Sequence, residues 1–252
     1  MPLIETASFT LSANTYGSLD CDRLALVIPG WLDSKGFPHM IAHSKFMADH
    51  NFYAVSFDPP GTWDSPGGIE LYSVTNYLKA INEVIEFYGN RPTVIVGQSM
   101  GGRMALLSAA QNMNVIATAS LMSTAVMNVS DLEKRQWKED GYVTLTRDNP
   151  LLASTKDFTL EYSYFEDAST YSVYDVTETL TIPKLMIAGT RDELASVHSV
   201  KNLYGHCPDP KEFVEVDCVH DYWRTPQDIE LVNTHLDAFF SEYIDDWKSY
   251  SS

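Results

Sequence analysis

The sequence predicts an α/β protein built on an open, doubly wound, mostly parallel sheet with one insertion. Three observations predict it. Short apolar or β-branched runs alternate with amphipathic stretches along most of the 252 residues. Five of the six such runs are nearly continuous in apolar residues, as strands buried on both faces require. The rhythm breaks once, between about residues 124 and 180, and then resumes.

Taken in order, Ser8-Phe9-Thr10-Leu11 and the turn signal Tyr16-Gly17 predict an antiparallel edge. Leu24 to Ile28 is the first central strand. Phe52 to Phe57, Thr93 to Val96, Val115 to Leu121, Pro183 to Ala188 and Phe213 to Val216 follow. Between them, Val74-Leu78-Ile81-Ile85 and Ile229-Val232-Leu236-Phe239-Phe240 recur at helical steps, and Met100 to Gln111 is compatible with a helix. The irregular segment opens with Ser130-Asp131-Leu132-Glu133, a capping box for a helix ending at a C-cap, Gly141. Tyr142 to Thr146 alternates like a strand, Asp148-Asn149-Pro150 signals a turn, and an aromatic tract follows with Phe158, Tyr162, Tyr164, Phe165, Tyr171 and Tyr174. The expected division is a core of residues 1–123 and 181–252 and an inserted cap of residues 124–180. The cap would lie over the C-terminal edge of the sheet, where open α/β sheets bind ligands.

Composition bounds the function. At 44% hydrophobic and 12% aromatic the chain can bury a full core. A net charge of −17 argues against nucleic acid and anionic membrane surfaces as partners, because phosphate binding needs clustered Lys and Arg. Solubility explains that acidity, and attraction of a cationic substrate is the sharper alternative. Cys21, Cys207 and Cys218 are too few and too scattered for a disulfide framework or a zinc cluster. Met1-Pro2-Leu3-Ile4-Glu5 lacks a signal-peptide pattern, and no window approaches a membrane span, so a reducing cytoplasm is the expectation. No cofactor is expected: no Gly-x-Gly-x-x-Gly follows the first buried strand, and no two histidines share ligand spacing on one element with a carboxylate. The oligomeric state has no signature.

The chemistry points to Gly97-Gln98-Ser99-Met100-Gly101, directly after an apolar strand and before a helical run. Gly-x-Ser-x-Gly there is a nucleophile elbow: small residues allow the tight turn, the serine hydroxyl stands exposed, and the next N–H sits at a helix N-terminus. A serine hydroxyl is inert without a base. Asp192 follows one buried strand and His220 follows the last, so each sits in a loop at the sheet edge where Ser99 should stand. Asp192 could instead be a simple helix N-cap, and Glu193 is a rival acid whose side chain should turn outward. Asp217 and Asp221 read as surface charges, and His39, His43 and His50 as surface or packing residues.

The chain order Ser, Asp, His, with Pro29-Gly30-Trp31-Leu32-Asp33, Asp58-Pro59-Pro60-Gly61, Gly189-Thr190-Arg191-Asp192-Glu193 and Cys218-Val219-His220, resembles the α/β-hydrolases over roughly residues 24–243. Trp137 to Tyr142 and Phe165 to Ala168 resemble capped bacterial esterases of the cinnamoyl or feruloyl esterase type. The resemblance implies Ser99 as nucleophile, His220 as base and then acid, and Asp192 as the group that orients the imidazole. It implies Met100 and Trp31 N–H as oxyanion donors, although many relatives carry His-Gly where this chain has Pro29-Gly30. It also suggests a contact of Asp167 with a polar acyl group, where the plain reading is a solvated or capping carboxylate. Tyr164 is the cap aromatic singled out for substrate contact, against the reading that such aromatics are the cap's own core. The expected activity is hydrolysis of small carboxylic esters, aryl or aromatic-acyl esters among them. A thioesterase, amidase or peptidase on the same triad is the alternative, and a non-catalytic binding protein the third.

Overall fold

Apolar runs long enough to be buried on both faces can satisfy their backbone only by pairing with one another, and that is how they are arranged. The computed structural model describes residues 2–149 and 154–247. One eight-stranded sheet is formed by β1 (Leu3–Glu5), β2 (Thr10–Tyr16), β3 (Leu24–Ile28), β4 (Tyr53–Phe57), β5 (Thr93–Gln98), β6 (Val115–Leu121), β9 (Lys184–Gly189) and β10 (Lys211–Val216). Their order is β1-β2-β4-β3-β5-β6-β9-β10. The first two strands run antiparallel at one edge and the other six are parallel. This is the α/β-hydrolase arrangement that the sequence predicts. In register, Ile28 lies opposite Gly97 and Gly189 opposite Val216, so β3, β5, β9 and β10 end along one edge.

Alternation along each strand divides the core in two. Leu24, Leu26 and Ile28 pack with α2 (Val74–Phe87), α3 (Met100–Gln111) and α6 (Val197–His206). Ala25 and Val27 pack with α1 (Pro38–Asp49) and α7 (Pro226–Tyr243) on the other face. Ser73 and Ser196 cap α2 and α6 by accepting the N–H three residues on, and prolines open α1 and α7.

Between β6 and β9 stand α4 (Asp131–Asp140), a hairpin of β7 (Tyr142–Asn149) and β8 (Ser154–Glu161), α5 (Tyr162–Ser169) and two short 3₁₀ turns. The capping box is present, with Ser130 and Glu133 each accepting the other's backbone N–H, and Gly141 ends α4 at φ +79°. β8 is an element that sequence reasoning did not assign, because its first half, Ser154-Thr155-Lys156-Asp157, is polar. Period two emerges only from the pairing: Val143 opposes Leu160 and Leu145 opposes Phe158, and these four pack inward. On the other face Thr144 meets Thr159 and Thr146 meets Asp157. The turn expected at Pro150 lies outside the described residues.

Candidate active site

Ser99 follows β5 as the N-cap of α3, with φ +53° and ψ −122°, a conformation that costs a non-glycine residue on the order of 1–3 kcal/mol. The surroundings hold it there. Its N–H donates to Leu121 O at 2.8 Å, and its carbonyl accepts from Gly102 and Arg103 to start α3. Gly97 is required by close approach: a Cβ there would lie 2.1 Å from Gly101 O. At Gly30, a Cβ would lie 3.3 Å from Ser99 Cβ, so the loop after β3 runs against the nucleophile's side chain.

His220, in the loop after β10, places Nε2 3.0 Å from Ser99 Oγ and Nδ1 2.8 Å from Asp192 Oδ2. The Asp192 side chain is fully buried, and its Oδ1 accepts the N–H groups of Leu194 and Ala195, both at 2.8 Å. A carboxylate with three donors around it is held as an acceptor. The network therefore assigns the His220 proton to Nδ1 and leaves the Nε2 lone pair facing the serine hydroxyl. Glu193 points outward, while Asp217 and Asp221 pair with Arg191 and Arg224 at the surface.

The Met100 and Trp31 N–H groups have no protein acceptor among the described residues. Both residues line a cavity of about 180 Å³ that also holds Ser99, His220, Arg103 and Tyr164. Behind it stands an aromatic stack in which Tyr164 lies between Trp31, Tyr72 and Trp137, at centroid distances of 6.1, 5.3 and 6.1 Å. The Tyr72 and Tyr164 hydroxyls both reach Met100 Sδ at 3.4 Å, and Leu32 N–H donates to Tyr72 OH. Arg147 of β7 donates to Trp31 O and covers its ring. Next to the site, burial raises the Asp33 carboxyl to about 6, with Arg147 and His220 opposing and Asp221 adding to the shift.

The family model described as alpha/beta hydrolase fold matches residues 26–158, more than half of the chain. The chain belongs to the α/β-hydrolase family. This α/β-hydrolase is 22% identical over 177 residues to the mitochondrial palmitoyl-protein thioesterase ABHD10 of Rattus norvegicus, covering 69% of the chain and 60% of the relative. The human protein of that name is 20% identical over 178 residues, with 69% and 58% covered. The chain thus spans about 60% of the length of the curated relatives it matches. Among solved structures, mouse alpha/beta hydrolase domain-containing protein 10 superposes with a TM-score of 0.77 at 18% identity, covering 96% of this chain and 98% of that one. Est1E from Butyrivibrio proteoclasticus, bound to ferulic acid, does so with a TM-score of 0.76 at 19% identity over 97% and 99%. These likenesses are ones of fold.

The α/β-hydrolase thus brings together Ser99, His220, Asp192, Met100, Trp31 and Tyr164, but not Asp167. The Asp167 carboxylate turns away to the N-terminus of α2, where it accepts the backbone N–H of Thr75 at 3.1 Å and that residue's hydroxyl. A carboxylate in the first turn of a helix is satisfied by the unpaired N–H groups and the helix dipole, so Asp167 pins α5 to α2. His39, His43 and His50 are all buried, so packing is the correct reading of the three. Sequence reasoning missed Arg103 and Ser123, which line the same cavity. The signal for Arg103 was its spacing, one helical turn beyond Ser99 and so on the same side of α3.

Proposed function

We propose that this chain is a serine hydrolase that cleaves small carboxylic esters through an acyl-enzyme. One observation carries the reading: an unbroken hydrogen-bond chain runs from buried Asp192 through His220 to Ser99 Oγ and ends in a cavity. As Ser99 Oγ bonds to the carbonyl carbon, His220 Nε2 takes its proton and the C=O electron pair moves onto oxygen. The N–H groups of Met100 and Trp31 receive that oxyanion, each worth about 3 kcal/mol in comparable sites. Collapse breaks the ester C–O bond, and His220 returns the proton to the departing alcohol. A water then repeats the sequence on the acyl carbon, releasing the acid and restoring Ser99. Asp192 holds the imidazole tautomer and balances the imidazolium charge throughout.

The cavity of about 180 Å³ is below the roughly 300–1,000 Å³ that drug-sized ligands occupy, which favours a short acyl or single-ring substrate. Residues 124–180 act as a cap in this reading, supplying Met127, Asn128 and Tyr164 to the cavity wall. The cytoplasm is the assignment from sequence. The curated relatives favour a second reading, thioester cleavage, since they are named palmitoyl-protein thioesterases and, in the same names, mitochondrial. A fluorophosphonate probe should label the protein once and leave Ser99→Ala unlabelled. Labelling that survives the substitution overturns the serine-hydrolase reading, and matched oxygen and sulfur esters of one short acid decide between the two substrates.

A further inference from the structure

Among the described residues, Arg103 is a cation buried without a counter-charge. The residue is 4% exposed and lines the cavity that holds Ser99, yet its side chain makes no hydrogen bond, ion pair or cation–π contact among the described residues. Its Nε is fully enclosed and unpartnered. A guanidinium keeps its charge at any physiological pH, and an isolated buried charge is among the costliest arrangements a protein can hold. Nor is the chain short of carboxylates, with 34 acidic residues against 17 basic ones. Even so, burial pushes the Arg103 guanidinium pKa down, and the neighbours that oppose the shift are Tyr164 and Tyr72.

A second orphan sits in the same wall. The Ser123 hydroxyl, in a residue 2% exposed, has no hydrogen-bond partner among the described residues either. It packs against the first turn of α3, since a Cβ on Gly102 would lie 2.8 Å from Ser123 Cβ. A planar fork of donors and a hydroxyl, both in the wall of one cavity with Ser99, form the donor set of a carboxylate receptor.

We propose that this site takes anionic esters, and that Arg103, with Ser123, binds a carboxylate carried by the substrate beside its scissile ester. This rests on the serine-hydrolase reading and narrows it to half-esters of short dicarboxylic acids or esters of short hydroxy acids. The net charge of −17 does not oppose this at close range. Exposed charges are screened over about 8–10 Å at physiological salt, whereas a buried pair is screened little. The bulk charge instead slows the approach of such a substrate.

The test uses four short esters: a 4-nitrophenyl monoester of adipic acid, an acyl ester of 4-hydroxybenzoic acid, and the methyl-capped neutral form of each. The wild type should prefer one free acid over its capped partner by at least about tenfold in kcat/KM. Arg103→Met should bring that ratio close to one, and Arg103→Lys should restore part of it. Arg103→Met should also raise Tm, because it removes an uncompensated buried charge, whereas an arginine with a merely structural role would lower it. Free adipate or 4-hydroxybenzoate should raise the Tm of the wild type and not that of Arg103→Met. A wild type that labels with fluorophosphonate but shows no acid preference overturns the carboxylate site alone. A wild type that does not label overturns the serine-hydrolase reading, and the thermal shifts still decide whether Arg103 binds a carboxylate. Loss of Tm in Arg103→Met with the acid preference intact also overturns the proposal.

Discussion

Tyr164 of α5 is stacked on Trp31 of the loop after β3, with 6.1 Å between centroids and 22° between planes. The inserted segment and the proposed oxyanion loop therefore share one aromatic stack, and the Tyr164 hydroxyl also touches Met100. A residue placed like this positions both candidate oxyanion donors. Tyr164→Ala should lower kcat by about 10- to 100-fold, and by a similar factor for every ester, since an oxyanion donor serves all of them equally. Tyr164→Phe keeps the ring stack and should retain most of the activity. Steady-state kinetics on an aliphatic and an aromatic ester check this; a change in discrimination between the two would instead make Tyr164 a substrate contact.

The hydrogen-bond chain from Asp192 to Ser99 predicts non-additive losses. His220→Ala should cost nearly as much kcat as Ser99→Ala, and the double substitution little more. Asp192→Asn should lower kcat by about 10⁴-fold, because an amide in that position favours the wrong imidazole tautomer. Activity should fall as acid protonates the base. Retention of more than about a tenth of kcat in His220→Ala would mean that another group is the base.

Acid should destabilise the fold. Burial lowers the pKa of His43 to about 4, against a rise from its bond to Asn233, and burial also lowers that of His39, with His43 and His220 adding to the effect. Both are neutral inside, so below about pH 6.5 the unfolded chain takes up protons that the fold refuses. His43 then removes about 1.4 kcal/mol per pH unit as pH falls from 6.5 towards 4, and His39 acts in the same direction. Asp33 works in the opposite direction: with a folded pKa of about 6 it costs stability as pH rises from about 4 to 6. Urea unfolding at pH 4.5 to 8 should show stability rising with pH. Asp33→Asn should be more stable at pH 7 by about 1–2 kcal/mol, the half-buried position reducing the full linkage value.

Asp167→Ala should act on stability and not on substrate choice. Its two bonds to Thr75 join α5 to the first turn of α2, and losing such a cap typically costs about 1 kcal/mol. Thermal denaturation should show that loss while ester discrimination stays as in the wild type. A shift in discrimination would place the carboxylate back at the substrate.

Gly97→Ala should abolish probe labelling of Ser99. A methyl 2.1 Å from the Gly101 carbonyl cannot be absorbed by a side-chain rotation, so β5 and the first turn of α3 must separate. Circular dichroism distinguishes a folded protein with a displaced nucleophile from an unfolded one, and normal labelling would refute the packing argument.

What the sequence determined by itself is what local physics can write into a chain. Apolar runs such as Leu24 to Ile28 can only be buried strands, glycines at positions 97 and 101 can only be a tight approach, and Ser130 with Glu133 can only be a helix start. The placement of Ser99, Asp192 and His220 after β5, β9 and β10 was legible for the same reason, because parallel strands deliver their C-terminal loops to one edge. Tertiary structure decided the rest. The polar half of β8 became a strand only by pairing with β7, and Asp167 found its partner in a helix start 92 residues away. The charge state of His43 follows from burial against Tyr222 and Asn233, far apart from it in sequence. Arg103 is the sharpest case. Its residue type and its helical spacing are written in the chain, but the lack of a counter-charge around it among the described residues is a property of space, to which every neighbouring element contributes by what it does not place there.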